Sequence, residues 1–235
     1  MSCSARLPVY LLLITVFFEH NQGVILSSLY LIGGVIAIIS AIVLKKLFFK
    51  KDEVAFVMEL PPYRIPTARS VMRHMWSRAG QYLKKMGTVI LVASVIIWAM
   101  SNYPQNCELK DTYIGKLGQV IEPVLEPLGF DWEIGVSLLS GLAAKEIVIS
   151  TMAVLNGSGE NEDSLIAALQ NNVNYTPLTA YCLMLFILLY LPCIAAIATV
   201  RREAGVKWAV FTALYTTGIA WLVTFIVWQI GQNFI

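Results

Sequence analysis

Cys193 follows Pro192 in the apolar run Leu188-Leu-Tyr-Leu-Pro-Cys-Ile-Ala-Ala-Ile-Ala, and Cys3 precedes Pro8 in Cys3-Ser-Ala-Arg-Leu-Pro-Val-Tyr. A proline inside an apolar helix frees backbone carbonyls and bends the segment. A thiol at such a break can meet a soft or borderline cation such as Fe²⁺, Cu⁺ or Zn²⁺, and suits Mg²⁺ and Ca²⁺ poorly. The competing reading of each cysteine is a small apolar filler. The neighbouring prolines shift Cys3 and Cys193 towards a ligand role. Cys182 lies eleven residues before Cys193, roughly 16 Å away along a helix and too far to share an ion. It reads as filler, and Cys107 as an incidental loop residue. With no CxxC and no Cys/His spacing, neither a disulfide framework nor a zinc ribbon is favoured.

Lys145 and Glu146 are the only charges in the apolar stretch from Ile134 to Leu155, which Gly141 also interrupts. Ionisable groups at membrane depth are expensive and functional by default. Adjacent residues point about 100° apart on a helix and cannot pair with each other as i,i+4 neighbours do. Glu146 is therefore a candidate metal ligand, and Lys145 a residue of the break. A segment that enters the membrane only from its surface would leave both at that surface. Ser140, Ser150 and Thr151 satisfy backbone by default. His20 and His74 stand alone and read as solvated. No phosphate-binding loop, nucleophile elbow or His-Glu-x-x-His motif is present, so no enzymatic activity is expected.

The elements that must position these residues are membrane helices. The chain has 235 residues, 57% hydrophobic and 14% charged, with a mean hydropathy of +0.69. Soluble domains carry roughly a quarter charged residues. A net charge of +2 gives no reason to expect a nucleic-acid partner. Val24 to Leu44 is a 21-residue uncharged run and predicts a span, with Gly33-Gly34 open to close helix contact. Pro61, Pro62 and Pro66 break the linker that follows. From Thr67 the pattern is amphipathic, with Ala68, Met72, Met75, Trp76, Ala79 and Leu83 on one face. It reads either as a helix in the membrane interface or as a basic helix docked on protein. Further spans are expected at 86–101, at 177–200 with its break at Pro192, and at 208–230 with Trp208 and Trp228 near its ends.

The chain thus reads as an all-α polytopic membrane bundle with interrupted or re-entrant helices and an interfacial amphipathic helix. Three regions are expected: 1–49, the end of an interrupted region plus one spanning helix; 50–85, a cytoplasmic linker and the interfacial helix; and 86–235, a second region with re-entrant or broken helices. The basic loop 45–85 is expected in the cytoplasm and the acidic loop 102–131 outside. If 134–155 crosses fully, the acidic loop 156–176 and the Arg201-Arg202 turn both oppose the positive-inside bias. If it re-enters, both obey it and the C-terminus ends outside. Charge counting leaves both open.

Five motifs occur in order: Cys3-Ser-Ala-Arg-Leu-Pro-Val-Tyr, Glu59-Leu-Pro-Pro-Tyr-Arg, Lys84-Lys-Met-Gly-Thr-Val-Ile, Gly141-Leu-Ala-Ala-Lys-Glu-Ile-Val-Ile-Ser-Thr and Tyr190-Leu-Pro-Cys-Ile-Ala. Together they resemble the membrane domain of the ferrous iron transport protein B family. That resemblance implies a GTP-coupled permease with two gate motifs, Fe²⁺ as the transported ion, and no tightly bound cofactor. It maps Cys3 and Cys193 onto the gate cysteines, with Ser2 where the family has proline, and Gly141, Lys145 and Glu146 onto the Gly-x-x-x-Lys-Glu run. The expected partners are membrane lipid, the family's GTPase and early membrane segments, and a second copy of the chain. The chain is expected to be a C-terminal portion lacking the GTPase domain, and the expected location is the cytoplasmic (inner) membrane of a prokaryote. A nucleoside-type gate domain and a non-transporting assembly subunit are the alternative readings.

Overall fold

The computed structural model describes residues 6–18, 20–48, 67–103, 112–142, 145, 147–155, 166, 169 and 175–234. Cys3, Glu146 and the loop 50–66 lie outside the described residues. The described chain is helical: α1 (Leu7–Phe17), α2 (Gln22–Phe48), α3 (Ala68–Asn102), α4 (Tyr113–Leu125) with a 3₁₀ turn (Glu126–Leu128), α5 (Trp132–Ser140), α6 (Ile147–Leu155), α7 (Pro177–Leu189), α8 (Ile194–Ala204) and α9 (Val206–Phe234). No strand occurs among the described residues.

Two of these helices are long and apolar enough to cross a membrane, α2 with 27 residues and α9. At 1.5 Å per residue each is about 40 Å long, more than the roughly 30 Å of a hydrocarbon core. Their outward faces carry Leu31, Ile38 and Ile42 on α2 and Leu214, Leu222 and Ile230 on α9, all exposed. Such bands suit lipid. α3 is a single helix of 35 residues, so no helix end marks the 85/86 division between an interfacial helix and a span. Residues 67–80 are exposed throughout.

α7 forms the centre. A helix apolar on all sides must be enclosed, and Ala180 and every residue from Cys182 to Leu188 are buried. Leu188 lies against Gly33 of α2, and the Ser28 and Tyr181 hydroxyls meet at 3.0 Å. At the other end of α7, Leu178 lies against Gly231 near the end of α9. Phe130 is fully buried and meets Phe186 of α7 edge to face, with ring centroids 5.8 Å apart.

The ends of α9 fix direction. Near its start, Trp208 and Phe211 clasp Phe48 at the end of α2, with centroids 5.5 and 5.1 Å away. Lys45 and Lys46 in the last turn of α2 and Arg201 and Arg202 in the last turn of α8 therefore share one end of the bundle. Near the other end of α9, Trp228 packs on Gly129. Gly129 has φ +74, and a β-carbon there would run into the indole, so only glycine suits both the turn and the contact. Both flanks of the 130–177 segment thus meet the same end of α9.

Phe130→Ala should cost about 3–5 kcal/mol, as truncations of buried aromatics do. Thermal unfolding in detergent checks this as a clearly lowered melting temperature.

Candidate functional site

Two helix breaks face each other inside the bundle. The first lies between the end of α5 at Ser140 and the start of α6 at Ile147, with Gly141, Leu142 and Lys145 as its described residues. The second, residues 190–193, separates α7 from α8. Each leaves backbone groups that apolar surroundings cannot satisfy, and the two breaks partly satisfy one another. The Ile194 N–H donates to the Leu142 carbonyl at 3.2 Å. The Lys145 ammonium donates to the Ile187 carbonyl, also at 3.2 Å.

The second break follows from Pro192, which has no N–H to return to the Leu188 carbonyl. α7 therefore ends at Leu189, with the Tyr190 N–H closing onto Phe186 O at 2.8 Å. Cys193 occupies the N-cap of α8. Its backbone carbonyl accepts from Ala196 and Ile197 at 2.8 and 3.2 Å. Its side chain is half-buried and free of any disulfide.

Lys145 is 3% exposed. Its Nζ stands 4.1 Å above the centroid of the Tyr190 ring. Ile187 lies in the last turn of α7, where the helix dipole is negative and favours a cation. A desolvated ammonium over a ring gains about 2 kcal/mol. These contacts offset the several kcal/mol that burying a charge costs. The same ammonium repels an incoming divalent ion by roughly 8 kcal/mol at 4 Å, for an effective permittivity near 20.

Gly141 makes room for this arrangement. A β-carbon there would clash with Val148 and lie 2.9 Å from the Tyr190 hydroxyl. The Tyr190 Oη is buried without a hydrogen-bond partner among the described residues, and so is the Nε of Arg6. Arg6 and Cys193 both lie near Tyr190. Arg6, Lys145, Tyr190 and Cys193 thus converge where the breaks meet.

Among the expected site residues, Cys193, Pro192, Gly141 and Lys145 come together. Pro8 stands in the first turn of α1, where a proline fits without disturbing hydrogen bonds. Cys182 is fully buried in α7, as a filler would be. The Ser140 hydroxyl bonds the Val136 carbonyl at 3.0 Å, the backbone role expected of it. His20 and His74 are exposed. No three of His, Cys, Asp and Glu form a metal-holding group among the described residues. Tyr190, Arg6 and the Ile187 carbonyl went unnoticed as site groups. Tyr190 and Arg6 were legible only as members of their motifs, and the carbonyl had no side-chain signal. A separate cavity of about 420 Å³ between α1 and α6 is lined by Leu7, Pro8, Leu11, Leu12, Thr15, Ile149 and Ile166. Its one hydroxyl, Thr15, bonds the Leu11 carbonyl, so it offers no chemistry.

Residues 83–207, which contain both breaks, match the Gate family model, described as "Nucleoside recognition". The chain belongs to the Gate family. Residues 26–78 match the model for the ferrous iron transport protein B C terminus. The chain is 42% identical to a Porphyromonas gingivalis protein named Fe(2+) transport protein A/Fe(2+) transporter FeoB fusion protein, over all of this chain and 34% of that one. It is 38% identical to the Staphylococcus aureus Fe(2+) transporter FeoB, over all of this chain and 36% of that one. The FeoB of Methanocaldococcus jannaschii is 36% identical, over 99% of this chain and 36% of its own length. The chain therefore spans about a third of the length of these curated relatives. No solved structure matches it.

Gly141→Val should push Tyr190 off the Lys145 ammonium and separate the breaks. The expected outcome is a protein that still inserts but shows a lowered melting temperature and a more accessible Cys193, read as faster thiol labelling. Gly141→Ala should do the same more weakly.

Proposed function

We propose that this chain forms the C-terminal membrane part of a ferrous iron permease, and that Fe²⁺ passes where the two breaks meet. The opposition of the breaks, with Cys193 at their edge, is the observation that carries this reading. Discontinuous helices at mid-membrane are how many transporters build ion sites from half-helix ends and unwound carbonyls. α5 is nine residues long and α7 thirteen, so each break lies about 14–20 Å from the helix start. That is near the middle of a roughly 30 Å core. In this reading Cys193 gives Fe²⁺ a transient soft contact, and Glu146 and Cys3 complete the path. The affinity stays modest, because an ion held too well does not leave.

The ends of α9 support one membrane orientation. The Lys45-Lys46 and Arg201-Arg202 ends share one side, which the positive-inside bias assigns to the cytoplasm. Gly129 on Trp228 and Leu178 on Gly231 place both flanks of 130–177 at the opposite end. α5 and α6 then form a re-entrant pair entering from outside, and the C-terminus is external. In the cytoplasmic membrane of a prokaryote the GTPase and early membrane segments of the transporter would complete the path, with homo-oligomers and lipid as further partners. The Gate description suggests an organic solute, but the relatives matched along the whole chain carry Fe(2+) in their names, and this favours the iron reading.

Cys193→Ser in the complete transporter, in a host lacking other iron uptake, should lower Fe²⁺ uptake about tenfold, a loss near 1.4 kcal/mol. Wild-type uptake at limiting Fe²⁺ would remove Cys193 from the ligand set. Single cysteines introduced into 156–176 should react with an impermeant reagent from the same side as those in 102–131. Labelling from opposite sides would replace the re-entrant pair with a full span.

A further inference from the structure

Two of the groups that hold the Lys145 ammonium would also hold a free cation: a carbonyl in the last turn of α7, at 3.2 Å, and the face of the Tyr190 ring, at 4.1 Å. Pro192 leaves the next carbonyl, that of Leu188, without the N–H a continuous helix would supply. Beside them the Tyr190 hydroxyl is buried and lacks a hydrogen-bond partner among the described residues. It faces the space that Gly141 leaves open. Two carbonyls, a ring face and a hydroxyl, the parts of a cation subsite, are thus present, and an ammonium on a flexible stem sits among them.

We infer that Lys145 is a tethered occupant of a cation subsite built from the C-terminal carbonyls of α7 and Tyr190, and that a transported cation and the ammonium occupy it alternately. The like charges cannot share the space. An incoming ion displaces the ammonium, with the Tyr190 hydroxyl available as an oxygen ligand. The returning ammonium then expels the ion. A lysine suits this role because its charge rides on a four-carbon stem with rotatable donors. The subsite stays neutralised when empty of ion, so the broken helix end is never left bare in an apolar core. The competition rests on the ferrous iron reading above, whereas the subsite itself does not.

Two variants of the complete transporter test these parts separately. Lys145→Ala in detergent should lose thermal stability and regain several degrees when methylammonium is added, whatever ion the protein carries. No rise with methylammonium overturns the subsite. Under anaerobic conditions Lys145→Met should bind Fe²⁺ about tenfold tighter than the wild type and turn over more slowly, while Lys145→Arg should not tighten binding. In the wild type, saturating Fe²⁺ should raise labelling of Lys145 by an amine-reactive probe several-fold, read by mass spectrometry. If the wild type binds Fe²⁺ and neither tighter binding in Lys145→Met nor increased labelling is seen, the alternation is overturned.

Discussion

Backbone polar groups freed inside an apolar bundle must find partners within the protein, and the rest of this structure depends on how two sets of them meet. Pro192 stops α7 at Leu189, and α5 stops at Ser140, before Gly141. Neither break is tolerable alone, because each unsatisfied group in hydrocarbon costs several kcal/mol. Placed against one another they exchange the Ile194 to Leu142 hydrogen bond, and Lys145 covers the end of α7. The enclosing helices cover α7, which is buried along nearly its whole length, between α1, α2 and α9.

This arrangement explains how the Lys145 ammonium can be buried. Among the groups that stabilise Lys145 are a carbonyl at the C-terminal end of α7 and the face of the Tyr190 ring, and in the proposed alternation a competing cation takes these two places. Cys193 stands half-buried at the rim of the same junction, and in the proposed path it offers a soft contact without enclosing the ion. A pathway must bind well enough to admit an ion and weakly enough to release it, and a junction of dipoles, one ring and one thiol fits that requirement.

Much of this was legible in the residues. The uncharged runs gave α2 and α9, and Pro192 gave the break beside Cys193, because a missing N–H is a local property. The filler role of Cys182 followed from its distance to Cys193. The partnership of Lys145 with α7 was not legible: it joins residues 42 apart in sequence through a backbone carbonyl, which no side-chain pattern reports. The topology was ambiguous for a related reason. Charge counting sees loops, whereas the contacts of Phe48 with Trp208 and of Gly129 with Trp228 show which ends lie together. The amphipathic pattern after Thr67 was expected to continue into the apolar run at 86–101, and the two form one helix to Asn102, with no proline between them.

Cross-linking across the breaks tests most directly whether they meet. With the native cysteines replaced by serine, Leu142→Cys paired with Ile194→Cys is expected to join through a short thiol cross-linker in intact membranes. Leu178→Cys paired with Gly231→Cys serves as the control for a folded bundle. Linkage of both pairs is the predicted result. Linkage of the control pair alone would mean that the two breaks lie apart, and the junction described here would not exist.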